Sequence, residues 1–263
     1  MKGERDAPAD PLQQQSEWPE IVRRVRSRTP ARLLVGRAGA AYRTSTQVEL
    51  REAHAAARDA VRAELDLARD FPPAFVEEWK LFEVSSQATS KDEFLLRPDL
   101  GRHFSAASRA EILGRCSANN HLQIAIGDGL SVTAVAAQVP QLLPLLQEGA
   151  ATLGWTTGQA FVIRHCRVGI LNEIGELLRP KAAILLIGER PGLATAESLS
   201  AYMAYCPRAN HTDAERNLIS NIHARGVDLE RAAARILGLA AQMMKNGASG
   251  YSLREELPKM EAP

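Results

Sequence analysis

Two glycine-rich turns hold the residues of this chain best suited to chemistry. Residues 127–131 read GDGLS and residues 188–193 read GERPGL, and each closes a short apolar run. Glycine lets a ligand approach the backbone closely. In the second turn Glu189 can accept hydrogen bonds from amide or amine donors, and Gly188 and Gly192 leave room for a large flat ligand. Neither turn is a phosphate or nucleophile motif. GDGLS lacks the third glycine of G-x-G-x-x-G, no G-K-[ST] follows GERPGL, and no G-x-S-x-G elbow occurs. Each turn also has a plain reading. Ser131 or Asp128 would cap a helix in the first, and Glu189 and Arg190 would be solvated in the second.

Further along, CPR and AERNLISNIH supply Arg208, Arg216, Asn221 and His223. These four either reach the same edge or cover a helix surface. The six histidines, His54, His103, His121, His165, His211 and His223, show no ligand spacing, so no metal site is expected. His54 reads as a packed helix residue and His165 as a structural strand residue. Cys166 and Cys206 read as small core residues. No pair forms a convincing catalytic acid and base, and no catalytic residue is assigned. The pattern is that of a domain that holds a ligand.

Bulk properties narrow the class. Basic residues number 32 and acidic residues 31, for a net charge of +1. That balance argues against nucleic acid or an anionic membrane as the main partner. The three cysteines, Cys116, Cys166 and Cys206, are scattered and odd in number, which fits a reducing cytosol. No apolar run approaches the about 20 residues of a membrane span. The first residues are polar, without a secretory apolar core. The expectation is a soluble, cytoplasmic protein.

The elements that position the turns follow from periodicity. SEWPEIVRRVRSRTP reads as a short helix with Ser16 as cap and Trp18, Ile21, Val22 and Val25 as its stripe. Thr46 with Glu49, and Ser108 with Glu111, have capping-box spacing. Short runs follow: HLQIAIG, QAFVIRHCRVG, KAAILLIG and AYMAYC. They do not alternate and are separated by helices, as in a parallel sheet covered on both faces. The helical region between the first two is interrupted by prolines. TDAERNLISNIHARG and DLERAAARILGLAAQMMKNG read as closing helices, the last capped by Gly247. The expected fold is α/β and Rossmann-like, a largely parallel sheet with flanking helices after a mainly helical N-terminal region. Expected boundaries are a mobile leader at 1–16, the helical region at 17–110 and the ligand domain at 111–263. If the strands are parallel, GDGLS, RVG and GERPGL share the carboxyl edge, where such sheets bind ligands.

RPDLGRHFS, GDGLS, LLIGERPGLATAESLSAYMAYCPR and ISNIH together resemble the small subunit of ethanolamine ammonia-lyase. VGRAG, FVIRHCRVGI and the C-terminal ASG extend the resemblance from about residue 30 to residue 252. It implies an adenosylcobalamin-dependent enzyme that converts ethanolamine to acetaldehyde and ammonia through radicals. It also implies a large barrel subunit that holds the substrate, and a small subunit that encloses cobalamin at the interface. Several large/small pairs would form a hetero-oligomer. The family's cofactor contacts fall on Val168 and Glu189, with Arg167 beside Val168 as a further candidate. A third family position, a cysteine, is Leu218 here, which allows an apolar or main-chain contact but no thiol contact. The chain lacks D-x-H-x-x-G, in line with a cobalamin that keeps its own base on cobalt. Some family members carry a longer N-terminal extension associated with bacterial microcompartments; the leader here is short, and the expected location is cytoplasmic or within such a compartment. The competing class is a stand-alone nucleotide-binding or interaction module, against which the incomplete glycine fingerprint speaks.

Overall fold

The computed structural model describes residues 19–29, 33–192 and 195–255. The expected leader at 1–16, the Ser16 cap, Trp18 and Leu193 lie outside the described residues. Two compact units divide the chain, residues 1–54 and 55–263. The first contains helix α1 (Glu20–Ser27) and a small antiparallel pair, β1 (Arg37–Ala38) with β2 (Ala41–Tyr42). Helix α1 buries none of its residues. Helix α2 (Thr44–Arg62) crosses the boundary between the units. It begins before Thr46, so the Thr46–Glu49 pair lies inside the helix and caps nothing, and His54 is exposed.

The second unit is built on a mixed sheet. Its elements in chain order are α3 (Leu67–Asp70), α4 (Pro73–Glu78), β3 (Glu83–Ser85), α5 (Lys91–Leu96), α6 (Ala106–Arg115), β4 (Leu122–Gly127) and α7 (Val132–Thr152). Then come β5 (Phe161–Arg164), α8 (Ile170–Leu178), β6 (Ala182–Gly188), β7 (Leu199–Tyr205), β8 (Asn217–Ile222) and α9 (Leu229–Asn246). The strand order is β3-β5-β4-β6-β7-β8. Strands β3, β5, β4 and β6 are parallel, whereas β7 runs antiparallel to both β6 and β8. The expected largely parallel sheet is thus corrected to a mixed one. Parallel neighbours need a long crossover, usually a helix, and antiparallel neighbours do not. The β6–β7 connection carries no helix among its described residues, so β7 folds back beside β6.

Three local expectations change for physical reasons. NLISNI is a strand, not part of a helix. Thr212 and Glu215 do form a capping box, but it opens only the short turn Asp213–Glu215. Helix α6 starts one turn earlier than Ser108, capped by Ser105, whose hydroxyl accepts from the Ser108 amide at 3.1 Å. Pro140 and Pro144 lie inside α7 without ending it. Burial of Val135, Val139, Leu142, Leu143 and Leu146 against the sheet holds that helix together. Helix α9 ends as expected, with Gly247 left-handed at φ 63°.

The two faces of the sheet are covered unequally. Helices α7 and α9 cover one face along β4, β6, β7 and β8, where Ile124, Ile184, Met203 and Ile219 are fully buried or nearly so. Helices α6 and α8 cover the other face only over β3, β5, β4 and β6. On that side β7 and β8 present Tyr202, Leu218 and Ser220, which no helix covers among the described residues, and Leu218 is 45% exposed.

The cysteines divide by burial. Cys166 is fully buried and burial raises its thiol pKa; burial also pushes Cys116 up to about 11. Cys206 is exposed, which corrects its expected place in the core. It stands in the turn after β7, at the end of an outer strand. A thiol-disulfide reagent at pH 8 is therefore expected to modify one thiol per folded chain and all three in denaturant. Rapid modification of more than one in the folded state would contradict this burial.

Candidate functional site

The loops after β4, β5 and β6 meet at one edge, as parallel strands require. The chain steps from β4 to β5 on one side and then to β6 on the other, so the order reverses at β4. Such reversals open a crevice beyond the strand ends. A cavity of about 360 Å³ lies there, and Val168, Glu189 and Leu218 all line it. The sequence places these three residues 50 positions apart in all; the fold brings them to one wall. Arg167, Arg190, Tyr202 and Ser220 complete much of its lining. A larger hollow of about 900 Å³ adjoins it along α8 and shares Arg167 and Val168.

Glu189 sits at the end of β6 as a fixed acceptor. Its carboxylate accepts from Ser198 Oγ at 2.8 Å, Ser200 Oγ at 2.7 Å and the Asn221 backbone N–H at 2.8 Å. The Asn221 contact depends on a bulge. Leu199 pairs with Ile222 and Ala201 with Ile219, so Ser220 and Asn221 together face Ser200. Asn221 adopts φ 61°, and His223 Nε2 meets its side-chain oxygen at 2.7 Å. A bulge re-aims the groups it carries, and this one turns the Asn221 N–H toward Glu189. GERPGL, ESLS and ISNIH thus form one hydrogen-bonded unit. An ionised carboxylate offers about four acceptor positions, so three protein donors leave Glu189 one for a ligand.

Asp128 organises the other two loops. Its fully buried carboxylate accepts the backbone N–H of His165 at 2.9 Å and of Cys166 at 2.8 Å. Lys91, itself 5% exposed, places Nζ 3.7 Å from Asp128 and 3.3 Å from the Gly129 carbonyl. Burial lowers the Lys91 pKa and the Asp128 charge opposes that fall. The clamp holds His165 at φ 55°, just past the end of β5, and so sets where Arg167 and Val168 emerge. His165 is buried in this loop, not in the strand, with Nδ1 3.0 Å from the Ala88 carbonyl.

The glycines serve this packing. A Cβ on Gly188 would lie 2.0 Å from the Ser131 carbonyl oxygen, and one on Gly129 would lie 2.4 Å from that of Gly188. Gly188 is therefore needed for loop-to-loop contact, and it also lines the cavity. Ser131 caps α7, as one plain reading of GDGLS holds, accepting from the Ala134 amide.

Other expected polar groups separate. Asn221 and His223 stand at the carboxyl edge, whereas Arg208 follows the far end of β7 and Arg216 precedes β8 at that opposite edge. Among the described residues no cluster of three metal-ligating side chains occurs. Sequence reasoning missed Asp128 as an organiser. Its one signal was a carboxylate directly after the short run IAIG; its partner Lys91 carried none. Ser198 and Ser200 lay unremarked in a string whose value was its resemblance.

A family model for the ethanolamine ammonia-lyase light chain matches residues 19–254. The ethanolamine ammonia-lyase small subunit of Clostridium perfringens is 40% identical over 235 residues, covering 89% of this chain and 78% of the relative. That of Clostridioides difficile is 40% identical over 230 residues, 88% of this chain and 76% of the relative. A Listeria monocytogenes small subunit is 38% identical over 231 residues, 88% and 77% respectively.

The Asp128 clamp makes a quantitative prediction. Removing one partner of a buried ion pair costs about 3–5 kcal/mol. Asp128→Ala should lower unfolding free energy by about that amount, and adding Lys91→Met should restore part of the loss. Equilibrium unfolding of the four chains in the cycle checks this. Additive losses would show that the pair is not coupled.

Proposed function

The chain belongs to the ethanolamine ammonia-lyase light-chain family, as a lyase small subunit, and from that premise we propose that its three-loop edge binds adenosylcobalamin against the large subunit. The observation that carries the reading is the convergence of Val168, Glu189 and Leu218 on one cavity beside an uncovered sheet face. The lining fits a corrin, which is an apolar ring with amides around its rim. Val168, Tyr202 and Leu218 supply apolar surface, and Glu189 supplies an oriented acceptor for an amide N–H. Arg167 lines the same cavity beside Val168 and adds a cation to this wall. Leu218, 45% exposed on β8 beside the cavity, is apolar surface suited to a large subunit seated over this edge.

Bound adenosylcobalamin supplies the radical chemistry by which ethanolamine becomes acetaldehyde and ammonia. The residues of this chain bind and orient. Glu189 fixes rotation in the ring plane, because three protein donors hold its carboxylate still. Val168 and Leu218 exclude water from the ring face. Leu218, in place of the family cysteine, keeps an apolar contact. None of them moves a proton in the reaction, and substrate handling falls to the large subunit. The expected hetero-oligomer of several large/small pairs and the expected cytoplasmic or microcompartment location belong to this same reading. No helix among the described residues is long and apolar enough to cross a membrane.

The alternative nucleotide-binding reading loses support at GDGLS. Each glycine there packs against another part of the chain, and the Ser131 hydroxyl already caps the first turn of α7. That leaves no open glycine cradle for phosphate.

Co-expression with the large subunit should yield adenosylcobalamin-dependent release of acetaldehyde from ethanolamine. Glu189→Gln should weaken cofactor binding by about 1–3 kcal/mol, the scale of a lost buried hydrogen bond, with a smaller effect at saturating cofactor. Unchanged cofactor affinity would remove Glu189 from the site.

A further inference from the structure

Two loops of this chain interlock through a reciprocal exchange of glycine and arginine. The Arg167 backbone N–H donates to the Gly101 carbonyl at 2.8 Å. A Cβ on Gly101 would lie 2.6 Å from Cγ of Arg167, and one on Gly169 would lie 2.9 Å from Cγ of Arg102. Each glycine is thus the bed on which the other loop's arginine stem lies. The crossing places Arg102 on the wall of the larger hollow and Arg167 on the walls of both.

Among the described residues these cations have no carboxylate ion-pair partner. The acids that line the larger hollow are already engaged: Glu173 pairs with Arg109 and His103, Asp213 pairs with Arg216, and Glu176 accepts from the Ala209 amide. Arg167 stacks on the Phe94 ring at 4.1 Å and gives one terminal nitrogen to the Phe94 carbonyl at 3.1 Å. Its Nε is buried and unpartnered. Burial and then the charge of Arg190 push its pKa below the ordinary arginine value; Asp128 opposes that fall and Arg102 adds to it. Like charges gathered at the junction of two hollows, with a buried N–H unused, call for an anion.

We propose that Arg102 and Arg167 form a clamp for an oxyanion at the junction of the two hollows. Resting on the cobalamin reading, the oxyanion is the phosphodiester of the cofactor's nucleotide tail; the same chemistry in a carboxylate of the large subunit is the other source. Guanidinium groups suit either, since their fork matches both geometries.

The test uses the two-subunit enzyme, with wild-type, Arg102→Gln and Arg102→Lys chains. Three quantities are measured: affinity for adenosylcobalamin, affinity for adenosylcobinamide, which has the same corrin and no phosphodiester, and subunit affinity without cofactor. A clamp on the phosphodiester predicts that Arg102→Gln weakens adenosylcobalamin about tenfold, as expected of a lost charge-assisted hydrogen bond. Adenosylcobinamide binding should stay within about twofold on the same scale, and Arg102→Lys should recover much of the loss. Weakened subunit association with equal loss for both cofactors assigns the clamp to a large-subunit carboxylate. No change in any of the three overturns it. If the wild-type enzyme binds neither cofactor, the cobalamin reading fails, and the subunit arm still tests the clamp.

Discussion

A single buried carboxylate, Asp128, fixes the geometry on which the rest of the site depends. Its oxygens hold two successive backbone amides of the β5–α8 loop, and Lys91 neutralises it from behind. The same lysine holds the Gly129 carbonyl. One ion pair therefore ties α5, the β4 loop and the β5 loop together. Burying such a pair is costly unless its remaining hydrogen bonds are satisfied. Here Asp128 accepts two backbone amides and Lys91 also meets the Gly129 carbonyl, which fixes the origin of Arg167 and Val168.

From that origin the site is assembled by the sheet. Strands β4, β5 and β6 deliver their loops to one edge because they are parallel. Strand β7 then turns back, which brings Ser198 and Ser200 to the same edge, and β8 returns to it with the Asn221 bulge. A fully parallel sheet would have placed the start of β7 at the far edge. The antiparallel step is thus what gives Glu189 its three donors. It also leaves one face of β7 and β8, beside the cavity, without a helix among the described residues. Glu189 is in this sense a structural centre, since it holds β6, β7 and β8 together at their ends.

Much of this was legible in the sequence, and the rest failed for definable reasons. The apolar runs that became β4, β5 and β6 were visible because their burial on both faces makes them continuously apolar, and β7 was visible because AYMAYC stays apolar although one of its faces is only partly covered. Gly247 marked its helix end because a left-handed cap favours glycine. NLISNI was misread because its burial is irregular: one face is open and the bulge breaks the alternation. The direction of β7 was hidden, since it depends on whether a loop contains a helix. The gathering of Val168, Glu189 and Leu218 came from resemblance, and only the fold shows why they meet. Lys91 and Arg102 were missed because a buried lysine and an arginine lying across a glycine leave no pattern in one sequence.

The most direct test is hydrogen exchange in the two-subunit complex with and without adenosylcobalamin. The account predicts slower exchange at residues 128–131, 165–169, 189–192 and 217–223 when the cofactor is bound. Residues 153–158, at the opposite edge of the sheet, should be unchanged. Protection at 153–158, with none at the three loops, would contradict the placement of the cofactor at this edge.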